Sequence, residues 1–346
     1  MSSLSSLTAL LQESGAQFRI YDMGRHINKI SPQLFAQIEQ GQKVYPSPYL
    51  HHAWLALLLW NPKQKLQNVV WFLKFPLDEQ GHLVQAVRDD FINRLMTNIN
   101  QMLQSADLNE AEDALKDNPF SFTPDQEKMA MFHAITHREI GAEKSQYYPA
   151  CEKYYTGKSG WDNWQNLGLQ GIAEVAVHLE NSQTELVQQF DNIPDQPLIA
   201  LCTCLEHVNI DHKLAAKIHT KLQQSIQKHA DLSLSVALLR AAQAAPGKES
   251  KAAAIKLLLE SPLANSAEVL TTIAVKASEQ LLEPQLLQLF LEKLATGEAG
   301  QQGFSRILAD LMFSEQLRQA ILQAFRQPDR SAELSAAIGN MFGSNR

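Results

Sequence analysis

Apolar positions follow two different rhythms along this chain. Through residue 100, short dense apolar runs alternate with turn residues; beyond residue 164, leucine and alanine recur at helical spacing with little interruption. The first stretch reads α-β-α-β-β-α. Leu7, Leu10 and Leu11 form one helical face, stopped by Gly15. "QFRIYDM" (17–23) reads as a strand. Ser31 caps a helix with Pro32 in its first turn, Leu34, Phe35 and Ile38 on one face, and Gly41 at its end. "AWLALLLW" (53–60) and "VVWFLKF" (69–75), joined by a polar turn, predict a hairpin. Both runs are apolar on both faces, which predicts a small mixed sheet covered on each side. Leu83, Val84, Val87, Phe91 and Leu95 then mark an amphipathic helix from about Gly81.

The later rhythm is more regular. Caps, prolines and breaks place helix starts near Asp195, Lys213, Asp231, Lys248, Asn265, Glu283, Gln301, Glu315 and Ser331. Two helices therefore recur every ~35 residues, the period of HEAT- and TPR-like helical solenoids. The expected fold class is an α+β N-terminal domain over 1–100, a helical, aromatic-rich connecting segment over 101–164, and an all-α solenoid over 165–346. The aromatic residues draw the same boundary, since all Trp and Tyr lie at or before Trp164. Six of them, from Tyr147 to Trp164, read as a seal between domains; with Lys153 and Lys158 between them, the rival reading is a base-stacking surface.

Charge and composition narrow the function classes. A net charge of −7 gives no overall attraction to phosphate backbones or anionic lipids. Three cysteines are too few, and odd in number, for a disulfide framework. The N-terminus lacks the basic region of a secretion signal, and the densest apolar run is far short of the ~20 residues a membrane helix needs. A cytoplasmic location is expected.

Several motifs fall short of the chemistry they suggest. "TGKSG" (156–160) lacks the second glycine of a phosphate loop, because position 152 is Glu152. His133 and His137 are one helical turn apart, but Ala134 stands where a zincin has its glutamate. Cys202, Cys204, His207, Asp211 and His212 have zinc-ligand residue types. The two thiols, however, project about 200° apart on one predicted helix. "GLQG" (168–171) is too short for a dinucleotide fingerprint, and His51 and His52 are open as site or rim. No metal or cofactor is expected. The catalytic candidates are Lys74, Asp22, Asp78, Arg25 and Arg88. Lys74 shares a strand face with Val70 and Phe72, so its ammonium needs a partner, and Asp78 or Asp22 is the expected one.

"FRIYDMGRHI", "WFLKFPLDEQGHL", "RDDF", "GWDNWQNLGLQGIAE" and "LCTCLEH" together resemble a family of proteobacterial proteins of about this length, a domain of unknown function. The resemblance covers nearly the whole chain and implies a bacterial cytoplasmic protein. It carries no catalytic or binding residues. The expected function is a non-enzymatic adaptor whose solenoid binds another protein. The alternatives are an enzyme or small-molecule binder using the N-terminal domain, and an RNA-associated protein, which the acidic charge disfavours.

Overall fold

The computed structural model describes residues 6–13, 17–61, 64–105, 118–228 and 231–343. The chain forms two compact units, 1–125 and 126–346. In the first unit, helix α1 (Leu7–Glu13) is followed by strands β1 (Gln17–Asp22) and β2 (Asn28–Ile30) and helix α2 (Pro32–Glu39). Strands β3 (His52–Asn61) and β4 (Gln64–Pro76) and helix α3 (Gln85–Ser105) complete it.

The sheet order is β2-β1-β3-β4, and every pairing is antiparallel. The α+β layout is the expected one, but the sheet is antiparallel throughout rather than mixed. Only a few residues separate β1 from β2 and β3 from β4, so each pair must run antiparallel. Helix α2 returns the chain so that β3 also opposes β1. Leu55, Ala56, Leu57 and Leu58 are all 0% exposed, so β3 is covered on both faces, as its apolar run predicts. Strands β2 and β4 are the edges, and residues 120–122 partly pair with β4. The Lys74 amide donates to the Phe120 carbonyl (2.6 Å), and the Phe122 amide donates to that of Phe72 (3.1 Å). Helix α2 starts as its cap predicts, with Ser31 Oγ accepting from the Leu34 amide at 3.1 Å. Helix α3 starts later than its stripe, because Leu83 is bridged to Leu77 in an extended segment.

The turn before β3 has an unexpected backbone. Leu50 and His51 both have positive φ (49° and 60°), and the Tyr49 and His52 amides each donate to the other's carbonyl at 3.1 Å. This is the geometry of a type I′ turn, which favours Asn-Gly because other side chains are strained there. Replacing the pair, Leu50→Asn with His51→Gly, is expected to raise unfolding stability by about 1 kcal/mol by relieving that strain. Denaturant unfolding checks this. A less stable protein would mean that the two native side chains make contacts worth more than the strain.

Among its described residues the second unit is built of helices, with no strand. These are α4 (Gln126–Ile140), α5 (Tyr148–Tyr155), α6 (Leu169–Val177), α7 (Gln183–Gln189), α8 (Asp195–Leu205) and α9 (His212–Lys228). They continue as α10 (Leu232–Ala242), α11 (Lys248–Leu259), α12 (Ala267–Lys276), α13 (Pro284–Thr296), α14 (Gly300–Leu311), α15 (Glu315–Ala324) and α16 (Ala332–Gly343). From α8 onward every start lies within two residues of its expected place. The signals were local ones. Asp231 and Ser266 accept hydrogen bonds from first-turn amides, Pro284 opens α13, and Gly247 enters α11 at φ +100°. The helices pack on next-but-one neighbours: α8 on α10, α10 on α12, α12 on α14 and α14 on α16, with α9 on α11, α11 on α13 and α13 on α15.

Half of the aromatic segment belongs to this unit's interior, while Tyr147 is exposed and Trp161 and Trp164 are partly so. Tyr148, Tyr154 and Tyr155 are buried, Tyr154 lies edge-on to both Tyr155 and Trp161, and the Tyr155 hydroxyl donates to the Pro197 carbonyl at 2.8 Å. Rings held this way offer few faces for bases to stack on.

Candidate functional site

Two of the five catalytic candidates of the first unit, Asp22 and Lys74, lie on opposite faces of the sheet. Register places Asp22 opposite Leu55 and Leu55 opposite Leu73, whereas Lys74 lies opposite Trp54. Successive strand residues alternate between faces, so Asp22 and Lys74 point to opposite sides of the sheet. The expected Lys74–aspartate pair is therefore not formed. The Lys74 ammonium instead sits 4.4 Å from the centroid of the Trp54 ring, a cation–π contact. Asp78, the other expected partner, is exposed, and its Oδ1 accepts from the Gln80 and His82 amides at 2.9 Å each, closing the turn at Gly81.

Each remaining candidate has a structural task. Asp22 is 1% exposed, and its Oδ1 accepts from the Tyr45 hydroxyl (2.6 Å) and the Gly24 amide (3.2 Å). Burial, then the Asp22 charge and hydrogen bond, push the Tyr45 phenol well above its usual range. Arg25 donates from Nε to the Pro48 carbonyl at 3.0 Å and lies over the Tyr49 ring. Arg88 donates to the Glu39 carbonyl and pairs with its neighbour Asp89. These contacts tie loops to the sheet. Accordingly, Lys74→Met should cost only about 1 kcal/mol, the order of one cation–π contact at a half-buried site. Adding Asp78→Asn should recover none of it. Rescue by the second change, measured by denaturant unfolding, would restore the ion-pair reading.

The zinc-type residues of 202–212 also serve packing and capping. Cys202 and Cys204 are buried within α8, and burial pushes the Cys202 thiol up to about 12 and the Cys204 thiol higher still. Asp211 accepts from the Leu214 amide at 2.8 Å as the cap of α9, and His212 is exposed. "TGKSG" is a turn, with Gly157 and Gly160 both near φ +73°. His133 and His137 face each other at 6.3 Å between ring centroids, and burial, then His137, lower the His133 pKa.

The densest charge centre is one that motif reading passed over. Glu206, just beyond α8, has a side chain 0% exposed. Its Oε2 accepts from Arg240 Nε at 2.7 Å; its Oε1 accepts from Arg240 Nη2 at 3.0 Å and from Lys276 Nζ at 2.9 Å. His207 Nε2 stands 3.0 Å from Oε1. Burial alone would raise the Glu206 pKa, but hydrogen bonds from His207 and Arg240 and the Lys276 charge outweigh it. The carboxyl is held well below the usual range. Burial lowers the His207 pKa despite its Glu206 bond, so the ring is neutral at pH 7 and donates through Nε2–H. The arrangement ties together the ends of α8, α10 and α12. One signal was available: Arg240 lies 34 residues after Glu206, and Lys276 70 after it, one and two repeat periods away.

The second unit also has an open cleft of about 650 Å³, lined by Ile135 and Arg138 of α4, Val177 of α6, Leu179, Glu180 and Asn209 among others. Its volume is that of a small-molecule pocket. Its guanidinium, however, is engaged, since Arg138 donates to the Val177 carbonyl at the end of α6 and pairs with Glu180 at 3.1 Å.

No curated protein and no solved structure matches the chain. A family model does match it over residues 2–342, that of DUF3549, described as a protein of unknown function. With a match of that extent, the chain belongs to the DUF3549 family.

Proposed function

We propose that this chain is a non-enzymatic adaptor of the cytoplasm, and that its second unit is an α-solenoid whose stacked helices recognise another protein. The observation that carries this reading is the packing order from α8 to α16, in which helices contact next-but-one neighbours in two interleaved series. Stacking of this kind exposes a long surface made from equivalent positions of successive helix pairs, and such surfaces serve protein recognition. The separate structural tasks of Lys74, Asp22, Asp78, Arg25 and Arg88 support it from the other side. None of the described helices is long and apolar enough to cross a membrane.

The test is purification of the tagged full chain from native lysate, with and without nuclease. The expected result is a stoichiometric protein that survives nuclease and rebinds after separate purification. Loss of all companions on nuclease treatment would favour an RNA-associated protein, and absence of any companion would remove the adaptor reading.

A further inference from the structure

Helix α9 carries Lys213, Lys217, Lys221 and Lys228 and no acidic residue, in a chain whose net charge is −7. At 100° per residue the four fall within an arc of about 80°, and they extend over about 22 Å of helix. They flank the face that buries Leu214, Ala215, Ile218, Leu222 and Ser225. Lys213 and Lys228 are exposed, and Lys221 is partly so. Among the described residues, none of these three has an ion-pair partner within 4.0 Å. Lys217 differs, because its ammonium pairs with Asp191, in the short helical turn Phe190–Asn192.

We propose that this lysine row binds an acidic segment of a protein partner; the inference deepens the adaptor reading and rests on it. Asp191 on Lys217 shows the row holding a carboxylate of this very kind. Lys213, Lys217 and Lys221 succeed one another at about 6 Å along the axis. An acidic helix presents carboxylates at the same pitch from every fourth residue, and an extended acidic strand presents them about 6.7 Å apart from alternate residues. Two observations favour a protein over a nucleic acid. Apart from the imidazoles of His212 and His219, the helix offers nothing to hold bases, having no arginine and no Phe, Tyr or Trp. The chain's overall negative charge also repels a long polyanion, whereas a short acidic segment is governed by the charges within a Debye length of about 10 Å.

The experiment is fluorescence anisotropy of the full chain with two labelled probes, a twelve-residue oligoglutamate and a single-stranded RNA twelve-mer of mixed sequence. Oligoglutamate should bind and weaken about tenfold as salt rises from about 50 to about 300 mM. Binding should fall at least tenfold in the triple variant Lys213→Gln, Lys221→Gln, Lys228→Gln, whose thermal unfolding should match the wild type because these side chains are not buried. The control Lys248→Gln, Lys251→Gln, Lys256→Gln on α11 should bind as the wild type does. Equal binding by both variants, no binding at all, or tighter binding of the RNA would each overturn the proposal. Its failure is separable from that of the adaptor reading. A native partner retained equally by the wild type and the α9 triple variant removes the row and leaves the adaptor. Row-dependent oligoglutamate binding without any native partner does the reverse.

Discussion

Glu206→Gln is expected to lower the unfolding free energy by about 3 kcal/mol at pH 7, measured by denaturant titration. Removing one member of a buried ion pair typically costs about 3–5 kcal/mol, because the remaining charges lose their counterion. The lower end applies here, since the Arg240 and Lys276 side chains retain 24% and 15% exposure and can reach water. The effect should depend on pH in a defined direction. The Glu206 carboxyl is held below its ordinary value of 4.5 in the folded chain, so its stabilisation is complete above about pH 4.5. It is lost as pH falls through the folded value, where both states become protonated. The gap between wild type and variant should therefore be constant near neutrality and close in acid. A gap that widened on acidification would show that the carboxyl is not the stabilising group.

Gly171→Ala is expected to destabilise the second unit by about 1–3 kcal/mol through overpacking. A methyl group at this position in α6 would lie 2.6 Å from the Tyr147 carbonyl oxygen and 2.7 Å from Cys151 Sγ, both at the start of or within α5. Gly168 is confined less tightly, with the ring of the exposed Tyr147 side chain 2.9 Å from its absent Cβ. Adding Cys151→Ala should recover only part of the loss, because the sulfur can be removed and the carbonyl cannot. Thermal unfolding of both variants decides the matter, and an unchanged melting temperature for Gly171→Ala would sink this account of "GLQG". The two glycines that resembled a nucleotide fingerprint thus allow close approach of two helices.

What could be read from the sequence was what local chemistry controls. Helix starts from α8 to α16 follow from caps such as Asp231 and Ser266, breaks such as Gly247, and leucine stripes, all acting within a few residues. Strand β2 escaped because three residues are too few to show a period. The hairpin of β3 and β4 was legible from its polar connection. The sense of the β1–β3 pairing escaped because apolar runs on both faces look alike in parallel and antiparallel pairings. The turn at Leu50 and His51 could not be read, since neither is a residue that favours positive φ. Lys74 illustrates the limit at the candidate site. Its need for a partner followed from its strand face, but the partner, Trp54, is set by inter-strand register. Glu206 was legible only if the repeat period found from caps, prolines and breaks was applied to charged residues as well.

That same spacing has a consequence for how the second unit comes apart. In stacked helical arrays each pair ordinarily interacts only with its immediate neighbours, so segments can open independently along the chain. The carboxylate after α8 instead reaches Arg240 in α10 and, beyond it, Lys276 at the end of α12. A coupling that skips a neighbour penalises any opening confined to the middle pair, because both outer groups lose the geometry it maintains. On the proposed solenoid reading, helices α8 to α12 should consequently exchange their amide hydrogens as one block.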